Sequence, residues 1–306
     1  MTMKVDWMRG CATALVTPFK ADGSVDEESM RALVDRQITQ GVKLLVPCGT
    51  TGESATMTEA EDARVIAMTI EVARGRAKVI AGAGSNSTAA AIEYSQRARE
   101  LGADAVLQVA PYYNKPTQEG LYAHFSAIAT AVSDLPIMLY NVPSRTSSNI
   151  AAQTTLRLAR DHENIVAVKE ASGNLSQIME ILRHRPDNFS LLSGDDSVTL
   201  PLIALGAEGI VSVASNEIPD LMSQMTALAL NGQWDEAREL HYRILPLLEV
   251  NFIESSPGPL KAAMAMMGLL EENLRLPLVP ITDQSRAKVR EVLNELGIFE
   301  SAAAAN

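Results

Sequence analysis

The stretch "NIVAVKEAS" at residues 164–172 sets an apolar run, Ile165-Val166-Ala167-Val168, directly against a lysine. A continuous run of branched and small apolar residues is the pattern of a strand buried on both faces, as in a parallel sheet. Lysine is costly in such a place unless it is paired or its charge is unwanted. Read alone, Lys169 is a strand end whose ammonium snorkels to solvent or pairs with Glu170. Its surroundings in the chain decide between that and a chemical role.

Seven similar runs recur at steady intervals: "ATALVTPF" at 12–19, "KLLVPCGTT" at 43–51, "KVIAGAGSN" at 78–86, "AVLQVAPYY" at 105–113, "PIMLYNVP" at 136–143, "SLLSGDD" at 190–196 and "GIVSVASN" at 209–216. Amphipathic segments with helix-start signals lie between them. Thr58 and Glu61 form a capping box, Ser87 and Thr88 precede "AAAIEYSQRARELG", and Gly41, Gly102 and Gly206 stand at helix stops. Eight strand–helix units in about 230 residues predict a (β/α)8 TIM barrel, an α/β fold. A doubly wound sheet is the structural alternative, because βα repetition alone does not prove closure. After "NGQWDEA" at 231–237 the strand-like runs stop and long helical patterns follow. The expected division is a barrel over 1–231 and a C-terminal helical domain over 232–306.

The 306 residues are 47% hydrophobic, ample for a core, and the formal net charge is −11. An acidic chain of this kind is no nucleic-acid binder, although an arginine in a cleft can still attract a small anion. Cys11 and Cys48 form neither a disulfide framework nor a metal cluster. The N-terminus makes a poor signal peptide and no stretch approaches a membrane span, so a cytoplasmic protein is expected. The tail "SAAAAN" at 301–306 reads as frayed.

In a barrel, chemistry collects where strands end at their C-terminal side, and the unusual residues fall there. Lys169 ends the sixth run. Tyr140 closes "PIMLY", either as a core tyrosine or as a phenol that shuttles protons beside an amine. Thr50 and Thr51 occupy a Gly-flanked turn that is either ordinary βα chemistry or a carboxylate clamp. Arg145, in the loop after Pro143, is either surface charge or a fork for a carboxylate. In this company Lys169 reads as an amine kept partly desolvated, available to attack a ketone and form a Schiff base.

Other signals fail. "AGAGSN" lacks the full dinucleotide pattern. The four histidines lack metal-ligand spacing, so a zinc enzyme is disfavoured. Cys48 has no histidine motif and reads as a buried inert thiol. Asp195 and Asp196 read as starting and capping the next helix rather than binding Mg²⁺.

The set "GTTGES", "PYYNKPTQEGLYAHF", "LYNVPSRT", "VAVKEASGNL", "LLSGDD" and "GIVSVASN" resembles the dihydrodipicolinate synthase family, within the class I pyruvate aldolases that include N-acetylneuraminate lyase. The resemblance runs from about residue 5 to 295. It implies condensation of pyruvate with L-aspartate 4-semialdehyde, without metal or organic cofactor. Lys169 would be the Schiff-base lysine. Tyr140, Thr50 and Tyr113 would form a proton relay, with Tyr113 reaching in from a neighbouring subunit of a homotetramer built as a dimer of dimers. Thr51 would hold the pyruvate carboxylate and Arg145 the semialdehyde carboxylate, with Gly194 and Val211 lining the pocket. A lyase acting on another 2-keto acid, of the N-acetylneuraminate or keto-deoxy sugar acid type, is the alternative; "SRT" around Arg145 and "GTTGE" favour the synthase. Feedback-inhibited members bind lysine through an acidic residue and a histidine. Ala90 and Glu59 stand there in this chain, although Asn86 and Tyr112 fit, so weak or absent lysine inhibition is expected.

Overall fold

The computed structural model describes residues 5–298; the tail "SAAAAN" lies outside them. All eight runs are strands: β1 (Gly10–Ala14), β2 (Leu44–Val46), β3 (Lys78–Gly82), β4 (Ala105–Val109), β5 (Ile137–Asn141), β6 (Ile165–Glu170), β7 (Ser190–Ser193) and β8 (Gly209–Ser212). Each pairs in parallel with its sequence neighbours, and β1 pairs with β8 as well as β2, which closes the barrel. The doubly wound alternative is thereby excluded. The first run is shorter than its apolar pattern suggests. Leu15 N makes the last bond to β2, at Val46 O, and Val16 donates its N–H to the Asn216 side chain instead.

The strands alternate between two cores. Ala12, Val46, Ile80, Leu107, Met138 and Val211 fill the interior, while Leu45, Val79, Val106, Leu139, Val168 and Leu191 meet the helices outside. Apolarity on both faces is what a sheet covered by its own crossover helices requires. The helix-start signals behave as read. Thr58 and Glu61 cap helix 59–73 reciprocally, Ser87 caps helix 88–101, and Gly102 ends it at φ 92°.

One irregularity determines where the sixth strand aims. Ile137 pairs with Ile165, but Met138 pairs with Ala167, so Val166 is an extra residue in β6. Ile165 packs in the outer core. Under strict alternation Lys169, four positions on, would face outward with it. The bulge shifts the phase and Lys169 becomes the register partner of the inward-facing Tyr140.

Helices Trp234–Val250, Gly258–Met266 and Asp283–Glu295 follow β8. Their apolar faces share a core with Cys11, Ile210 and Met222 on the outside of the barrel. No helix among the described residues is long and apolar enough to cross a membrane.

The closing seam allows a direct test. A Cβ at Gly209, where φ is +151°, would lie 2.0 Å from the Gly10 carbonyl oxygen, whereas nothing lies within 4 Å of one at Gly10. Gly209→Ala should cost about 3 kcal/mol or more. Gly10→Ala should cost only left-handed backbone strain, about 1–2 kcal/mol. Denaturant melts of the two variants check the difference.

Candidate active site

Lys169 and Tyr140 are both buried, at 5% and 6% exposure. The lysine Nζ lies 4.3 Å from the Tyr140 ring centroid. Across the other edge of β6, Gly194 follows β7. A Cβ there would fall 3.1 Å from both Cγ and Cε of Lys169 and 2.7 Å from Ala171 Cβ. Glycine at 194 leaves the lysine stem its course. Pairing with Glu170 does not occur: the Glu170 carboxylate accepts from Asn141 Nδ2, Ser172 N and Gln177 Nε2 on the outer face. The amine is left facing Tyr140.

The second element is the turn after β2. Cys48 adopts a positive φ of 57°, Gly52 N donates to Gly49 O at 3.1 Å, and Glu53 N donates to Thr50 O at 3.1 Å. The turn lies so close over β3 that a Cβ on Gly82 would come within 2.0 Å of Cys48 O. Thr51 is buried beneath it, while Thr50 is exposed. Thr50 joins Tyr140, Val142, Arg145, Ser256 and Leu278 in lining a cavity of ≈ 530 Å³. Arg145 sits in a short helix, Pro143–Thr146, rather than a loop, and its Nη2 donates to Ser256 O at 3.5 Å.

The remaining candidates fall at different distances from this centre. Val211 is fully buried and packs in the interior core with Tyr140 and Leu192. Tyr113 is not gathered in by its own chain: it is 89% exposed at φ 73°, and Tyr112 lines the cavity instead. Asp196 does not cap the helix that follows it. Its Oδ2 accepts from Val213 N and Ala214 N and ties the end of β7 to the end of β8. Burial pushes its carboxyl above the usual range. Asp195 closes a local turn on Ser197. Burial likewise raises the Cys48 thiol, which suits an inert role. Among the described residues no His, Cys, Asp and Glu gather in threes or more to hold a metal.

At the far end of the cavity, Glu59 is engaged by Arg97 Nη2 at 3.3 Å and by Tyr94 Oη at 3.3 Å. Asp62 accepts from Ser54 Oγ, and burial pushes its carboxyl up to about 6. The cavity wall supplied by Ser256, Pro277 and Leu278 carries no signal in the sequence, because it forms only where two distant stretches of chain meet the barrel.

Residues 7–296 match the Dihydrodipicolinate synthetase family. The chain belongs to that family. A 4-hydroxy-tetrahydrodipicolinate synthase of Koribacter versatilis is 54% identical over 299 residues, spanning 97% of this chain and 99% of the relative. The crystal structure of the Aquifex aeolicus dihydrodipicolinate synthase superposes with a TM-score of 0.93 at 46% identity, covering 95% of this chain and 99% of that one. The Cyanidioschyzon merolae enzyme, described with lysine bound, gives 0.93 at 44% identity, with 95% and 99% coverage. Family membership thus agrees with the geometry: buried lysine, facing phenol and threonine turn on one barrel mouth.

Gly194→Ala should displace the lysine stem. Reductive methylation of Lys169, followed by peptide mass spectrometry, should slow about tenfold or more while the circular dichroism spectrum stays unchanged.

Proposed function

We propose that this chain condenses pyruvate with L-aspartate 4-semialdehyde to give 4-hydroxy-tetrahydrodipicolinate, a step of diaminopimelate and lysine biosynthesis. One observation carries the reading above all: a buried lysine amine set against Tyr140 at the mouth of a family-typical barrel. The Lys169 amine attacks the pyruvate ketone carbon and forms a C–N bond. Tyr140 passes protons as the carbinolamine loses water, and Thr50 with Tyr113 of the partner subunit completes the relay. The resulting iminium draws electrons from the methyl carbon, which gives up a proton and becomes an enamine nucleophile. That carbon attacks the aldehyde and forms the new C–C bond. The substrate's own amino group then closes the ring at the former ketone carbon and expels Lys169 as free amine.

Thr51 and the N–H groups of its turn hold the pyruvate carboxylate, with Gly194 and Val211 lining that end. Arg145, at the cavity mouth, forks onto the semialdehyde carboxylate. The proposed working unit is a cytoplasmic homotetramer of two tight dimers, which brings the partner's Tyr113 to the mouth. Residues 1–231 form the catalytic barrel and 232–306 the helical appendage in this reading, although Ser256, Pro277 and Leu278 of the appendage reach the cavity wall.

Borohydride reduction in the presence of pyruvate should fix an adduct on Lys169, and none should form on Lys169→Arg. Turnover with the semialdehyde, set against cleavage of N-acetylneuraminate, separates the synthase from a lyase. Arg145→Ala should lower kcat/KM for the semialdehyde on the order of 10²-fold. The same change should slow pyruvate adduct formation less than about threefold; equal losses would remove Arg145 from this role.

Ala90 offers no charge, and the Glu59 carboxylate is already held by Arg97. Added L-lysine should therefore leave initial rates nearly unchanged, and strong inhibition in a steady-state assay would show a competent lysine site.

A further inference from the structure

Glu53 ends the threonine turn in an unusual state. Its φ is 53°, the left-handed region that a glycine would occupy without strain. Its carboxylate is fully buried and forms an ion pair with Lys261, itself fully buried in helix Gly258–Met266. Lys261 Nζ donates to Asn273 O at 2.8 Å, and Arg275 N donates to Glu53 Oε2 at 3.1 Å. Both cations approach the ring of Phe19, Lys261 Nζ at 4.3 Å and Arg275 Cζ at 4.4 Å from its centroid. The Arg275 guanidinium then reaches Gly23 O and Thr56 O, and pairs with Glu61. Two and three residues on, in the strap between helices Gly258–Met266 and Asp283–Glu295, Pro277 and Leu278 line the cavity.

Two buried opposite charges are a poor way to stabilise a fold, because an apolar pair of similar volume does as well or better. Strain at a non-glycine residue persists only where its surroundings over-determine it. Both features occur at the residue whose N–H closes the turn on Thr50 O. We propose that Glu53 is a positioning residue: through the Lys261 ion pair, the C-terminal strap fixes the Thr50–Thr51 turn in its catalytic geometry. The inference rests on the proposed pyruvate chemistry. Lys261 touches no reacting atom and acts only through Glu53.

The test uses the full chain, with Glu53→Gln and the double variant Glu53→Gln/Lys261→Met. The single variant strands a buried ammonium; the double removes both charges at nearly constant volume. The double variant should regain a thermal midpoint near the wild type yet keep a kcat at least about tenfold low and a raised KM for pyruvate. Its KM for the semialdehyde should move less than that for pyruvate, since Arg145 meets this segment through Ser256 O and not through Glu53 or Lys261. Restored rates alongside restored stability would reduce the pair to a structural bridge and overturn the proposal. Should the single variant fail to fold, the double decides alone. Borohydride trapping with pyruvate keeps the two readings apart. No adduct on the wild type defeats the proposed reaction itself; equal adduct rates in wild type and variants defeat only the role of Glu53.

Discussion

Closure of the sheet is the constraint on which everything else rests. β1 hydrogen-bonds to β8 across almost the whole barrel sequence, with Gly10 against Gly209 and Ala12 against Val211. Without that seam two edges would stand open, and strand ends that are far apart in sequence would have no common mouth. With it, Lys169 on β6 faces Tyr140 on β5, and the turn after β2 shares a cavity with Tyr140. The seam runs through two glycines because a Cβ at Gly209 would enter the Gly10 carbonyl.

Within that frame the proposed chemistry depends on a buried lysine set apart from its neighbouring acid. Apolar side chains fill the barrel below it, a phenol faces it, and the adjacent carboxylate of Glu170 is engaged by three other donors. An ion pair with Glu170 would have folded the amine back on its own strand. Placing the acid on the outer face removes that partner. The one-residue bulge at Val166 makes this arrangement, since it is what sends residue 169 inward and residue 170 outward.

Much of this was legible from the chain. Eight doubly apolar runs gave eight strands, and Thr58, Ser87 and Gly102 marked helix boundaries through local hydrogen bonding that sequence spacing encodes. Lys169, Tyr140 and Thr50 could be placed at one mouth because parallel strands all end on the same side. What stayed hidden depends on long-range geometry. The Val166 bulge leaves no trace in composition, since Val166 is as apolar as its neighbours. Asp196 was read as a local cap because that is the commonest use of an acid after a strand, but it serves the backbone beyond β8. Ser256 and Leu278 meet the cavity only because the C-terminal helices fold back across the mouth.

That fold-back has a consequence in time as well as space. A chain growing from its N-terminus has every strand of the barrel once Ser212 is made, and the barrel's own hydrogen-bond ladder is then complete. Lys261, Asn273 and Arg275 are synthesised only later, as are Ser256, Pro277 and Leu278. A nascent barrel therefore has Lys169 and Tyr140 before it has the partners of Glu53 or the outer wall of its cavity. A segment made after every strand finishes the mouth, so a chain ended before Ser256 can be barrel-shaped and still lack a formed site.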